Sequence, residues 1–252
     1  MQFQLQTSWL IALLLVSARI LAWAMVAPPL ASAGLPSVVK TVVSVGLALV
    51  IVPNAQAHLP STDTASIVTA LVLQVAIGAG LGFLTRVVFA AIETAGGLLD
   101  VFGGFSLAAA YNPLTTTMTS IFGSFYALLC TTLIFATDVH LVIFQGFLRT
   151  FTAVPLNASM SFSKLNSELT TAVGQMFLAA LQIAGPLIVV LFLADVALGL
   201  LSRIAPQLNA FSLSFPLKTL LTLLLVGGGF LLMPKTVVNL GTQATELIGA
   251  VA

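Results

Sequence analysis

Charged residues are the scarcest feature of this sequence. Its 252 residues include eight Lys or Arg and seven Asp or Glu, so 6% are charged while 59% are hydrophobic. Soluble domains carry about 25% charged residues. The composition therefore excludes an isolated water-soluble globule and predicts an integral membrane protein, or a subunit that hides nearly all its surface. The net charge of +1 gives no basic surface for nucleic acid.

Residues that carry common chemistry are also few. The single cysteine, Cys130, cannot form a disulfide within the chain. The two histidines, His58 and His140, belong to no cluster with metal-ligand spacing. Neither a nucleotide-binding G-x-x-x-x-G-K-[ST] loop nor a G-x-S-x-G nucleophile motif occurs. We therefore expect a protein that is not an enzyme and uses no cofactor or metal.

Apolar runs dominate the sequence instead. Six of them approach the roughly 20 residues that a helix needs to cross hydrocarbon. They are Trp9–Val26, Val38–Val52, Ile67–Ile92, Ile121–Phe147, Val173–Leu201 and Leu213–Met233. No separate soluble domain or internal repeat is evident between them, so we predict one all-α membrane domain over residues 1–252. Gly78 and Gly82 have the spacing that lets two helices pack closely.

The most informative stretch runs from Gly185 to Lys218. Asp195, Gly199 and Arg203 follow one another at steps of four, which places them on one side of a helix. A carboxylate at bilayer depth costs about 2.5–3.5 kcal/mol, so Asp195 must face protein or a water-filled gap. Asp195 and Arg203 are separated by about 12 Å along a helix, too far for direct pairing. Each is expected to contact a neighbouring helix or subunit.

Prolines are expected to interrupt the helices in and after this stretch. Pro206 should end the helix, because proline lacks the backbone N–H and clashes with the preceding turn, and Pro216 should make a second break.

The middle segment, Glu93–Ser120, is too polar and glycine-rich for a plain span and too apolar for an exposed loop. Irregular backbone at membrane depth is tolerated only inside protein or along a cavity. Two interpretations are therefore open. The segment is a re-entrant or interfacial connector, or it is a flexible plug that constricts a conduit.

Residues Asp195–Phe211 and Phe215–Lys218 resemble the signature LGLLxRxxPQxNxF…FPLK of the FliR/SctT family of type III protein-export gates. Weaker matches support the resemblance along nearly the whole chain. They are Ala27–Pro28, Gly34–Pro36 with Lys40, Thr94–Gly96, Asn112–Pro113 and Gly185–Pro186.

The resemblance implies an all-α integral membrane fold of about six long hydrophobic helices, arranged as broken helices and hairpins, in which a FliP-like part is joined to a FliQ-like hairpin. It implies a flagellar export gate in the bacterial cytoplasmic membrane, assembled with FliP-like, FliQ-like and FlhB-like subunits, through which unfolded flagellar proteins pass. A plug at about Ser106–Met118 would include Ser106, Leu107, Tyr111, Asn112, Pro113 and Met118. Inter-helix or inter-subunit polar contacts would involve Asp195, Gly199, Arg203, Gln207, Asn209 and Lys218.

Two other functions fit the apolar runs without the signature. One is a secondary transporter for a small solute, with Asp195 in a midplane site made by broken helices. The other is a membrane scaffold without a pore. Solute uptake by the reconstituted chain would favour the transporter, and co-purification with export subunits would favour the gate.

Overall fold

The computed structural model describes residues 7–31, 34–61, 63–105, 120–158, 161–205 and 210–251. These ranges contain α-helices and no β-strand. The helices are α1 (Thr7–Val26), α2 (Ser37–Ala55), α3 (Thr64–Phe102), α4 (Ile121–Ala136), α5 (Val139–Ala153), α6 (Phe162–Ile204), α7 (Ala210–Gly229) and α8 (Met233–Val251). A 3₁₀ turn, Gln56–His58, follows α2. The predicted all-α membrane fold is confirmed.

The apolar runs correspond to four continuous helices that could span a membrane and two broken pairs. Helices α1, α3 and α6, and α2 together with its 3₁₀ turn, each have the length and composition of a span. Neither α4 nor α5 alone has the length and composition of a span, but the two taken together do. The same holds for α7 and α8. The prediction of about six long helices arranged as broken helices and hairpins is confirmed, with four continuous helices and two bent pairs.

The break between α4 and α5 falls inside the predicted run Ile121–Phe147. Asp138 adopts a left-handed conformation with φ of 57°, and α5 begins at the next residue, Val139. Asp is one of the few residues other than Gly that visit this region readily. Thr137 and Asp138 thus interrupt a run whose apolar content alone predicts a continuous helix.

The expectation that Glu93–Ser120 begins outside a helix is wrong for its first ten residues. Helix α3 continues without interruption to Phe102. Gly96 and Gly97 therefore lie in the helix, and the absence of a side chain at Gly96 lets α4 approach closely. Pro216 also fails to make the expected break, because it lies inside α7. Helix α6 ends at Ile204, two residues before Pro206.

The three consecutive glycines, Gly227–Gly229, lie where α7 ends. A Cβ placed on any of them would meet no atom within 4 Å. No neighbour in the described chain therefore requires glycine at these positions. Helix α8 follows after a short break, and its apolar residues recur every three or four positions on one buried side: Val237, Leu240, Ala244, Ile248 and Val251.

The chain forms two compact units. The first comprises residues 1–88, 137–173 and 239–252, and the second comprises residues 89–136 and 174–238. In the first unit, the Trp23 ring stacks on Phe147 with centroids 4.4 Å apart. In the second unit, the buried core includes Leu99, Tyr126, Ile134 and Leu191. Helices α3 and α6 each contribute residues to both units.

Candidate functional site

The signature region lies on α6 and α7, and two of its polar residues, Asp195 and Lys218, form an ion pair. The Nζ of Lys218 lies 2.6 Å from Oδ1 of Asp195. The Lys218 side chain is 15% exposed and that of Asp195 is 44% exposed. The carboxylate predicted to need a partner therefore has one on the next helix of the same chain.

The other signature residues have different surroundings. Gly199 has open space where a Cβ would lie, so no helix in the described part of the chain packs against it. Arg203 is exposed in the last turn of α6, and no ion pair to it occurs within the described ranges. Gln207 and Asn209 lie outside the described residues. The structure thus brings together Asp195 and Lys218, whereas Gly199 and Arg203 have no such partner among the described residues.

The glycines predicted to pack helices lie between α1 and α3. A Cβ on Gly78 would overlap the Arg19 carbonyl oxygen, and one on Gly82 would lie 3.0 Å from the Trp23 carbonyl oxygen. The two backbones approach so closely that any larger residue would have to move them apart.

All six candidate plug residues fall outside the described residues. They are Ser106, Leu107, Tyr111, Asn112, Pro113 and Met118. The plug therefore remains a prediction. The residues on either side of this segment are described, and Phe105 and Phe122 meet edge to face with ring centroids 5.1 Å apart.

A buried arginine that sequence reasoning did not select organises the first unit. Arg19 is fully buried. Its Nε donates to Oε1 of Gln74 at 2.5 Å, and its Nη2 donates to the Val154 carbonyl at 2.9 Å. The guanidinium also lies 4.4 Å from the centre of the Phe151 ring. Carbonyl groups at a helix C-terminus carry partial negative charge, so the end of α5 accommodates this cation.

A second residue missed by sequence reasoning is Asp100, near the end of α3. It is 5% exposed, and its carboxylate accepts hydrogen bonds from the Ser120 hydroxyl and the Phe122 amide. The only sequence signal is a carboxylate in an apolar stretch, and nothing in its spacing identifies a partner 20 residues later. Within the described ranges, no three His, Cys, Asp or Glu residues are arranged to hold a metal ion.

Comparison with known proteins assigns the family. The profile of the family described as "Bacterial export proteins, family 1" matches residues 10–244. The chain belongs to this family. It is therefore a membrane protein of a bacterial export system, and the resemblance seen in the α6–α7 signature extends to nearly the whole chain.

Relatives in this family come from both flagellar and secretion systems. The flagellar biosynthetic protein FliR of Escherichia coli K12 is 32% identical over 83% of this chain and 80% of its own length. FliR of Pectobacterium carotovorum is 28% identical over 91% and 88%. The surface presentation of antigens protein SpaR of Salmonella typhimurium is 30% identical over 92% and 90%. These relatives give the small-solute transporter hypothesis no support.

Proposed function

We propose that this protein is a non-enzymatic subunit of a flagellar type III export gate. Together with FliP-like and FliQ-like subunits it forms the channel through which unfolded flagellar proteins leave the cell. An FlhB-like subunit joins on the cytoplasmic side, and the assembly lies in the cytoplasmic membrane within the flagellar basal body. Family membership and the flagellar and secretion-system relatives support this assignment.

One structural observation carries the proposal of an assembled subunit: the exposed apolar surface of α6 is too long for a bilayer. Large exposed side chains occur from Phe177 to Ile204, with Phe192 and Leu193 between them. That interval rises by about 40 Å along a helix, whereas the hydrocarbon core is about 30 Å thick. An upright helix would therefore carry part of this apolar surface outside the hydrocarbon core.

The remaining apolar surface needs a protein partner. Only 17% of an 18-residue apolar segment of α6 is buried within the chain. Ile204, the last residue of α6, is 82% exposed. Contiguous apolar surface of this kind marks an interaction site when neither lipid nor the protein's own core covers it. Neighbouring subunits of a multi-subunit gate would supply that cover.

The energy for export would come from outside this chain. The sequence has no phosphate-binding loop of the G-x-x-x-x-G-K-[ST] type. The family resemblance implies that the proton-motive force and a separate ATPase supply this energy.

Residues Ser106–Met118 are the proposed plug of this channel, on the basis of the family resemblance. Deleting part of the segment should let ions or small molecules leak through the assembled complex while the subunits still co-purify. Unchanged permeability of a fully assembled deletion complex would argue against the plug without affecting the assignment as a gate subunit.

Co-purification tests the assignment itself. The protein should be solubilised with the products of its genomic neighbours and isolated through a tag on this chain alone. FliP-like and FliQ-like chains should accompany it in a fixed ratio. Recovery of a stable, lipid-embedded single chain that imports a small solute after reconstitution would contradict the proposal.

A further inference from the structure

Helix α2 reverses the usual arrangement of polar and apolar residues. It packs against α1, and its buried residues include Lys40 at 8% exposure and Ser44 at 1%. The opposite side of the helix is exposed and apolar, with residues at steps of three or four: Val38, Val42, Val45 and Leu49. A helix beside water normally turns its polar residues outward. The inversion indicates that the exposed side of α2 contacts an apolar medium.

The polar groups of α2 are compatible with such a medium. Lys40 is the only charged residue of the helix, and it is buried. Thr41 is exposed, but its hydroxyl donates to the Ser37 carbonyl of the same helix at 3.0 Å. An unsatisfied polar group in hydrocarbon costs several kcal/mol, and this internal hydrogen bond avoids that cost. The exposed side of α2 therefore presents neither a charge nor an unpaired hydroxyl.

The length of this apolar side matches a bilayer. Ser37 and Asn54 are exposed polar residues at its two ends, and they are about 26 Å apart along a helix. The hydrocarbon core is about 30 Å thick. The exposed apolar surface of α6 is longer than this, whereas that of α2 has no such excess. Lipid alone can therefore cover the exposed side of α2.

Helix α8 shows the opposite pattern within the first unit. Its residues from 239 onward belong to that unit. They bury Leu240, Ala244 and Ile248 and expose Asn239 and Glu246. This is the ordinary arrangement for a helix beside water or a polar surface. Apolar exposure is therefore a particular property of α2 and not a general property of the helices in this unit.

We propose that the exposed side of α2 is a lipid-contacting surface, covered by phospholipid acyl chains and not by a neighbouring subunit. Val45, midway between Ser37 and Asn54, then lies near the centre of the bilayer. Lys40 faces the protein interior because a charged side chain at bilayer depth is costly. The proposal goes beyond the assigned function: it separates a lipid side of the chain, on α2, from a subunit side, on α6.

Spin labels on single introduced cysteines test this surface, in the variants Val38→Cys, Val42→Cys and Val45→Cys. The native Cys130 is buried, so labelling is confined to the introduced thiol. The labelled chain, with any subunits that accompany it, is reconstituted into vesicles of phosphatidylethanolamine and phosphatidylglycerol. Electron paramagnetic resonance then measures how often each label collides with oxygen, which concentrates in hydrocarbon, and with a water-soluble nickel chelate. The ratio of oxygen to nickel collisions should rise several-fold from Val38 through Val42 to Val45.

Glu246→Cys is the matched control, because Glu246 is also exposed but lies on the polar side of α8. Its label should collide readily with the nickel chelate. Low collision rates with both reagents at Val42 and Val45 would show that protein covers α2, and nickel access at Val45 would place this side in water. Either result would overturn the lipid assignment and leave the gate assignment intact. The gate assignment fails instead if the wild-type chain recovers no partner subunits.

Discussion

The ammonium of Lys218 on α7 lies 2.6 Å from the carboxylate of Asp195 on α6. The pair joins the two halves of the family signature, and the 44% exposure of Asp195 leaves one side of it open toward any neighbouring subunit. An ion pair whose members are both partly exposed contributes little by itself in water, about 0–1 kcal/mol. The interaction between the two charges becomes stronger when the surface around them is removed from water.

We predict that Asp195→Ala lowers the recovery of partner subunits several-fold and affects assembly more than it affects proton coupling. The substitution leaves the Lys218 charge unpaired at an apolar interface, which is more costly than removing both charges. The double variant Asp195→Ala, Lys218→Met should therefore regain most of the lost recovery. The measurement is the ratio of co-purified subunits to this chain. Normal recovery combined with lost export would place Asp195 in energy coupling instead.

The buried Arg19 gives a prediction about stability. Arg19→Met removes the donors to Gln74 and to the Val154 carbonyl. Because hydrogen bonds to charged groups contribute about 1.5–3 kcal/mol each, the free energy of unfolding should fall by about 3–6 kcal/mol. Arg86→Met, at an exposed position on α3, is the matched control and should have little effect. Equal denaturation midpoints for the two variants in detergent would contradict the structural role of Arg19.

Adjacent glycines in α3 give a matched pair of variants. Gly96→Ala places a Cβ against the Phe122 backbone, whereas at Gly97 the nearest atom is the Ser120 oxygen at 3.8 Å. Overpacking should make Gly96→Ala destabilising by about 1–3 kcal/mol. Gly97→Ala should be neutral or stabilising by up to about 1 kcal/mol, because alanine favours helix. Similar midpoints in thermal unfolding would show that α3 and α4 are not in close contact here.

The start of α3 supplies a prediction about pH. Hydrogen bonds from the Ser61 hydroxyl and from Ser66 lower the pKa of Asp63 to about 2. A lowered pKa in the folded state means that this cap stabilises the fold above the ordinary carboxyl pKa near 4. The contribution is lost as the pH falls through that window toward 2.

Ser61→Ala should raise the pKa of Asp63 toward its ordinary value, as measured by carboxyl carbon NMR of the detergent-solubilised protein. Ser17→Ala is the control, since that hydroxyl bonds only the Leu14 carbonyl in α1. A titration of Asp63 that Ser61→Ala leaves unchanged would contradict the assigned cause.

The helices that contain long apolar runs could be predicted from the sequence, and the features that depend on contacts could not. The spans of α1, α2, α3 and α6 follow from apolar length alone. The bend at Asp138 could not be predicted, since Thr137 and Asp138 in an apolar run are compatible with a continuous helix. Helix α8 is less apolar than a span, and its buried face is recognisable only from residues repeated at helical spacing.

The same distinction applies to the candidate site, where the sequence indicates some of the residues but not their contacts. The sequence motif identified Asp195 and Lys218 as interacting residues, but only the fold pairs them with each other. Asp100 and Arg19 were missed because their partners are mostly backbone groups and uncharged side chains, whose positions depend on where distant helices end. The glycine-rich content of Glu93–Ser120 argued against a plain span because glycine is a poor helix former, yet Gly96 lies in α3 where α4 packs closely against it.

Crosslinking along α6 is the most direct test of the central claim, that sibling subunits cover the long apolar face of this helix. A photoactivatable side chain is placed in turn at Phe177, Phe192 and Ile204, all exposed, in cells that make the complete export apparatus. Covalent adducts with other protein subunits are predicted at both ends, Phe177 and Ile204. Adducts with lipid alone at Phe192, and no protein adduct at Phe177 or Ile204, would contradict the account.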